Sequence, residues 1–170
     1  MNPGTRIRPA VAADARRIGE IYDEGIGEGD STFATGPHPP HERETWLATR
    51  GDRAPVFCAQ GGDRVLGWSA LAPFSRRPWF DGVAEYTVYI ARDARGTGLG
   101  RAMLAHLIGA APGHGYWKLV GMILPENAPG LALAAGAGFR VVGTYHDHGR
   151  IAGRWRDVTV VERHVEAPPR

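Results

Sequence analysis

A single cysteine among 170 residues rules out an intrachain disulfide. Cys58 stands in the apolar run 54–59 and reads as a buried strand residue rather than a nucleophile. No apolar run approaches the roughly 18 residues needed to cross a bilayer. The N-terminus also has no apolar signal core, so a cytoplasmic protein with no membrane partner is expected. A charge field of one sign is missing too. Twenty Lys and Arg against 18 Asp and Glu leave a net charge of +2, and the basic residues are mostly dispersed arginines. That balance gives no reason to expect nucleic acid as a partner. Metal-ligand spacing is lacking: His146, Asp147 and His148 sit together without a third ligand group, so a turn with solvated histidines and no metal is expected. What remains is 43% hydrophobic and 22% charged, an ordinary globular composition with enough chain for one domain and a sizeable core.

Glycine, by contrast, is concentrated where it carries chemistry. Arg95-Gly96-Thr97-Gly98-Leu99-Gly100-Arg101 follows a strand-like run at 86–91 and precedes a helix-like run at 99–111. A glycine-rich turn from strand to helix can aim several backbone N–H groups at one anion, and the helix terminus adds partial positive charge there. The pattern is that of a diphosphate cradle. Spacing excludes two familiar ones. Gly100 is followed by Arg101-Ala102 rather than Lys-Ser/Thr, and counting Gly-x-Gly-x-x-Gly from Gly96 or Gly98 puts Arg101 or Met103 at the third glycine.

The pattern along the chain gives strand, two helices, three strands, helix, strand, helix, two strands. A strand at 5–8 leads to a helix capped by Asp14, with Ile18, Ile21 and Tyr22 on one face. Residues 25–40 are rich in Gly, Pro, Ser and Thr and read as a long functional loop. A helix at 42–50 follows, then strands at 54–60 and 64–71 joined by Gly61-Gly62-Asp63. After a loop at 74–82 come a strand at 83–91, the glycine turn, its helix, a strand at 117–124, a helix at 127–135, and strands at 139–145 and 158–165. This order predicts an α/β (α+β) domain over residues 1–165, with a mixed, mostly antiparallel sheet flanked by helices and one parallel crossover. Residues 166–170 read as a frayed tail.

Arg95-Gly96-Thr97-Gly98-Leu99-Gly100 fits the Arg/Gln-x-x-Gly-x-Gly/Ala signature, and with the element order it resembles the Gcn5-related N-acetyltransferase (GNAT) family. The resemblance implies that the diphosphate belongs to acetyl-CoA. It implies contacts from Arg95, Gly96, Thr97, Gly98, Leu99, Gly100 and Arg101, a pantetheine rail at Val88, Tyr89 and Ile90, and Asn127 near the cofactor. A narrower resemblance, to the phosphinothricin, methionine sulfoximine and arsinothricin N-acetyltransferases, runs through four segments in order. They are Ser31-Thr32-Phe33-Ala34-Thr35-Gly36-Pro37, Arg77-Pro78-Trp79-Phe80, Glu85-Tyr86-Thr87-Val88-Tyr89-Ile90 and Gly153-Arg154-Trp155-Arg156-Asp157-Val158. It implies a small amino-acid acceptor, a detoxifying or resistance role and a homodimer.

Acetyl transfer to an amine needs a base for the ammonium proton, a donor for the developing oxyanion, and both reactants held in line. Glu85 is the candidate base, and a free N–H near Val88 or Tyr89 the candidate oxyanion donor. An anionic, tetrahedral side-chain end on the acceptor calls for the planar fork of arginine. Arg77 matches the subfamily's position, Arg76 lies beside it, and Phe33 and Phe80 supply apolar walls. Trp155 reads as a packing or dimer-contact residue, and Asp157 as the anchor of its turn.

Several positions depart from the subfamily. Phe80 stands for the usual Tyr, Gly130 for Ser, Ile151 and Ala152 occupy the place before Gly153 where Lys is usual, and the helix from Asn127 has no Tyr. These leave the cofactor side intact and the acceptor open. A polyamine, an aminoglycoside or a protein N-terminus is the alternative acceptor, although paired arginines disfavour polyamines. A non-catalytic CoA-binding module is the alternative to an enzyme.

Overall fold

The computed structural model describes residues 4–165, so the tail expected to be frayed lies outside the described residues. The elements are β1 (Thr5–Pro9), α1 (Ala15–Glu28), α2 (Pro40–Ala48), β2 (Val56–Gly61), β3 (Arg64–Pro73), β4 (Val83–Ile90), α3 (Leu99–Ala110), β5 (Lys118–Ile123), α4 (Ala128–Gly136), β6 (Arg140–Ile151) and β7 (Arg154–His164). They form one seven-stranded sheet in the order β1-β2-β3-β4-β5-β7-β6. Every pairing is antiparallel except β4 with β5, which α3 connects as a crossover.

The helices take opposite faces because β4 alternates. Tyr89 turns to α1, where a Cβ on Gly25 would lie 3.0 Å from its ring. Ile90 turns to α3, 3.7 Å from the Cβ position of Gly100. Two apolar clusters fill the space. One gathers Ile18, Ile21, Trp68 and Met103, the other Leu71, Leu104, Leu107, Leu119 and Phe139. Cys58 is fully buried, and burial pushes its thiol up to about 12, as suits a packing residue. No described helix is long and apolar enough to cross a membrane.

Two boundaries differ from the sequence reading. Helix α1 continues through Gly25 and Gly27 to Glu28, so the loop begins at Gly29. Gly25 lies beneath Tyr89 and Ser31, where a side chain would not fit, while the Cβ position of Gly27 is open. The last two strands are also longer than expected, forming a hairpin of 12 and 11 residues. The His146–His148 segment is a bulge inside β6 rather than a turn, with the register shifting between Tyr145 and Gly149. Asp157 anchors it, accepting the Asp147 N–H and the His146 ring, each at 2.9 Å. Asp147 sits at φ 50 there. Among the described residues, no group of three His, Cys, Asp or Glu is placed to hold a metal.

Candidate active site

The strand that ends at Ile90 enters a short turn at Arg92–Ala94 and then two left-handed glycines, Gly96 (φ 73) and Gly98 (φ 82), before α3 starts. Only glycine takes this path without strain. No side chain caps α3, and Ala102 is the first residue whose N–H bonds back to the Gly98 carbonyl, at 3.1 Å. The N–H groups at the head of α3 are therefore free to face an anion. Leu99 is buried at 3% exposure, so only its backbone can contribute. Thr97 Oγ1 donates to the Ala94 carbonyl at 2.8 Å and stiffens the turn. Arg101 is exposed and opens onto a groove of about 830 Å³ between α3, the end of α4 and the β6–β7 pair.

Arg95 is turned away from this nest. Its Nη1 bonds both Glu28 carboxylate oxygens at 2.8 Å, and its Nε donates to the Ile90 carbonyl at 3.0 Å. Arg92 Nε reaches Glu28 at 3.1 Å, while the Arg92 N–H donates to Glu24 at 2.6 Å. Two acids at the end of α1 thus clamp the root of the loop. Burial pushes the Glu28 carboxyl up, but the Arg95 and Arg92 bonds outweigh it and hold the group below its ordinary value.

Upstream, β4 and β5 part company. Their ladder has three rungs, Val83–Lys118, Ala84–Leu119 and Glu85–Val120, and stops. Strand β4 stays paired with β3 as far as Ile90. The Phe74 N–H bonds the Val83 carbonyl and the Ala91 N–H bonds the Leu66 carbonyl, so odd-numbered β4 residues aim their backbone at β3. Val88 therefore turns both backbone groups into the gap, and Tyr89 does not. Asn127, across that end of the molecule, caps α4 by accepting the Gly130 N–H at 2.8 Å.

Glu85 is half-buried on the α1 face, and burial alone raises its carboxyl above the ordinary value. Four residues along the same face, the Tyr89 hydroxyl donates to the Ser31 carbonyl at 2.8 Å, and Tyr22 bonds Thr32 at 2.6 Å. These bonds pin the loop carrying Phe33 over the face of β4. Phe33 packs against Gly149, where any side chain would strike its ring. Arg76 and Arg77 lie exposed on the β3–β4 connection, with no ion pair among the described residues. Phe80, beside them, meets Phe74 and Trp79 edge-on at 6.3 and 6.4 Å.

This gapped sheet with an anion nest at the end of β4 matches the family model of the acetyltransferase (GNAT) domain over residues 7–160. The chain belongs to the GNAT acetyltransferase family. It is 33% identical to phosphinothricin N-acetyltransferase of Streptomyces coelicolor over 95% of this chain and 98% of the relative. It is 30% identical to L-methionine sulfoximine/L-methionine sulfone acetyltransferase of Pseudomonas aeruginosa, over 94% of each. The structure of a GNAT superfamily phosphinothricin acetyltransferase from Sinorhizobium meliloti in complex with acetyl-CoA superposes with a TM-score of 0.88 at 29% identity, covering 96% of this chain and 89% of that one. The protein is an acetyl-CoA-dependent N-acetyltransferase.

Within the GNAT fold, the predicted cofactor residues fall into two groups. Val88, Ile90 and residues 96–101 lie along the gap and its anion nest. The Tyr89 backbone faces β3, the Arg95 guanidinium is held by Glu28, and the Asn127 side-chain oxygen accepts from Gly130. Sequence reading missed Glu24 and Glu28, because nothing in α1 marks which acids face a loop 64 to 68 residues away. It also passed over Gly149, whose spacing carries no local motif.

Proposed function

We propose that this enzyme acetylates the α-amino group of a small amino acid whose side chain ends in an anionic or polar tetrahedral group, of the phosphinothricin or methionine sulfoximine kind, with Glu85 as general base. One observation carries the reading. The last rung joining β4 to β5 is at Glu85, a half-buried carboxyl without a cation beside it, on the face opposite the phosphate loop's helix. Glu85 takes the ammonium proton, directly or through water. Its raised pKa brings it toward the value at which a base works best near neutrality. The Val88 N–H, unpaired in the gap, donates to the oxyanion that develops on the carbonyl. Arg77, with Arg76 beside it, receives the acceptor's anionic end, and Phe33 and Phe80 wall its apolar stem.

The nest suits the donor. Left-handed Gly96 and Gly98 and the free N–H groups of residues 99–101 hold the diphosphate of CoA, which supplies the activated acetyl thioester. The groove beyond Arg101 takes the nucleotide end. The acceptor class rests on the relatives named for phosphinothricin and methionine sulfoximine, together with the two unpaired arginines. The role that follows is inactivation of toxic amino-acid analogues in the cytoplasm. A homodimer is supported by β6, an edge strand that leaves Val141 60% and Val142 51% exposed.

A thiol-release assay with acetyl-CoA tests this. The amines are phosphinothricin, methionine sulfoximine, methionine sulfone, plain amino acids, spermidine and an aminoglycoside. Turnover is expected with the first three. Turnover confined to the polyamine or the aminoglycoside defeats the acceptor assignment, and none with any amine favours a binding module.

A further inference from the structure

The face of the sheet that carries Glu85 continues beyond the gap. Glu85 registers with Val120, Val120 with Glu162 and Met122 with Val160, and residues in direct register share a face. Alternation along β7 from Glu162 through Val160 and Val158 then puts Arg156 on that same face. A second observation agrees. Arg156 pairs across the hairpin with Gly149, and the Phe33 ring fills the place where a Gly149 side chain would stand. Arg156 and the proposed acceptor wall at Phe33 are therefore neighbours across one rung of the hairpin.

The head of Arg156 turns the other way, toward β5. Its Nη2 lies 3.1 Å from Oε1 of Glu126, which follows β5 and precedes Asn127. Strand β5 is the far wall of the gap, so the guanidinium stands at that wall, with Phe33 on its other side. Glu126 holds the fork in place without filling it. The Arg156 side chain is 26% exposed, yet its Nε is buried and hydrogen-bonds nothing among the described residues. A guanidinium presents its donors in a fixed planar fork, and a buried donor without an acceptor is costly. The other arginines nearby are differently placed. Arg92 and Arg95 are held by Glu28, and Arg43 is buried against the rings of Tyr22 and Trp46.

We propose that Arg156 is a specificity-determining residue that receives the acceptor's α-carboxylate. This rests on the reading of the site as one that acetylates an amino acid. It deepens that reading by requiring a free amino acid rather than a peptide or a protein N-terminus. An amino acid with an anionic side chain brings two anionic ends. Arg76 and Arg77, on the β3–β4 connection, account for the side-chain end. The α-carboxylate shares a carbon with the amine, so its receptor belongs where the amine meets the thioester, at the gap. Arg156 is a guanidinium on the Glu85 face at the wall of that gap, and its Nε and Nη donors match the two oxygens of a carboxylate. An amide in the same place has lost the charge and one acceptor oxygen, and a site built for a carboxylate rejects it.

The test compares each acceptor with its own amide. Thiol release is measured with phosphinothricin and methionine sulfone, each against its α-carboxamide, in the wild type, Arg156→Met, Arg156→Lys and Arg77→Ala. The wild type should prefer acid over amide in kcat/KM by roughly tenfold or more, the effect of one hydrogen-bonded contact between charges. Arg156→Met keeps the stem and removes the fork. Its preference should shrink to within about threefold, with the KM for acetyl-CoA within about twofold of wild type. Arg156→Lys should recover only part of the preference. Arg77→Ala should keep it, because that residue serves the other end of the acceptor. The ratio is taken within each variant, so a general loss of folding or activity cancels from it. A wild type that uses amide as well as acid overturns the proposal and leaves acetyl transfer to amines standing, as does an Arg156→Met variant that keeps the preference. Absence of turnover with every amino acid and amide removes the acceptor reading itself, and this proposal with it.

Discussion

The two ends of this active site are built from different materials. The proposed cofactor end is backbone: left-handed glycines, uncapped N–H groups at the start of α3, and a strand edge exposed where β4 and β5 diverge. Its arginine side chains serve mainly as struts, with Arg92 and Arg95 both held by Glu28. The proposed acceptor end is side chain: Glu85 on the strand, Arg76, Arg77 and Phe80 on one connection, and Phe33 on another, pressed against the β6–β7 hairpin. A backbone device binds what its shape admits and tolerates sequence change, provided the glycines stay. A side-chain device on loops can be retuned residue by residue. One fold can therefore keep its donor and change its acceptor.

The sharpest way to break this division is at the strand both ends share. Glu85→Gln should lower kcat by about 10²–10⁴-fold and leave the KM for acetyl-CoA near wild type, as checked by steady-state thiol release. The pH profile gives a second reading. As the proposed base, Glu85 must be ionised to act, and burial raises its pKa. The acid limb of kcat/KM should therefore fall at a pH above the ordinary carboxylate value and vanish from the residual rate of the variant. The stability sign runs the other way. A folded-state pKa raised by desolvation means that ionised Glu85 disfavours the fold above that pKa, and the penalty is relieved as pH drops. Glu85→Gln should melt at or above the wild-type temperature at pH 8. A lower melting point there would mean that the carboxylate has a stabilising partner.

The same division explains what could be read from the sequence. The element order, the crossover and the glycine turn before α3 were legible because glycine spacing and alternation act locally, whereas Asp14, expected to cap α1, makes no cap hydrogen bond and pairs with Arg8 and the Val11 N–H. Asp157 was expected to anchor its own turn, but it lies within β7 and holds the His146–Asp147 bulge of the neighbouring strand instead. What escaped depends on contacts distant in sequence. Tyr89 and Ser31 close over Gly25 in α1, a contact with residues 6 and 64 positions away that no local pattern announces. The outer half of the β6–β7 hairpin is largely exposed and mixes polar residues with Tyr145, Ile151 and Trp155, so no period-2 pattern marks it. The Glu28 clamp joins residues whose neighbourhood exists only after the sheet has formed.

Arg77→Ala addresses the acceptor end alone. If that end is a separate side-chain device, the KM for an anionic amino acid should rise about tenfold while that for acetyl-CoA stays within about twofold, the loss expected for one exposed charge-assisted contact. Arg77→Lys should recover only part, because an ammonium cannot present two parallel donors. Equal damage to both substrates would merge the two ends and move Arg77 to the cofactor side. Replacing Gly149 by Val should have a smaller effect, within roughly tenfold in acceptor KM, by pushing Phe33 off its seat.

The smallest effect tests whether Arg95 is a strut or a phosphate ligand in waiting. In the folded protein both Glu28 oxygens and the Ile90 carbonyl hold its guanidinium. As a strut, it keeps the loop's root against α1 so that the backbone N–H groups face the diphosphate already aligned. Glu28→Gln would then loosen the nest and raise the KM for acetyl-CoA by about two- to fivefold, the worth of a partly exposed ion pair. Lowering the pH should mimic the variant, since a carboxylate held below its ordinary value loses its clamp as it protonates. If Arg95 instead competes for the diphosphate, freeing it from Glu28 would lower that KM. The sign of the change, read in one titration, decides whether the cofactor end is backbone alone.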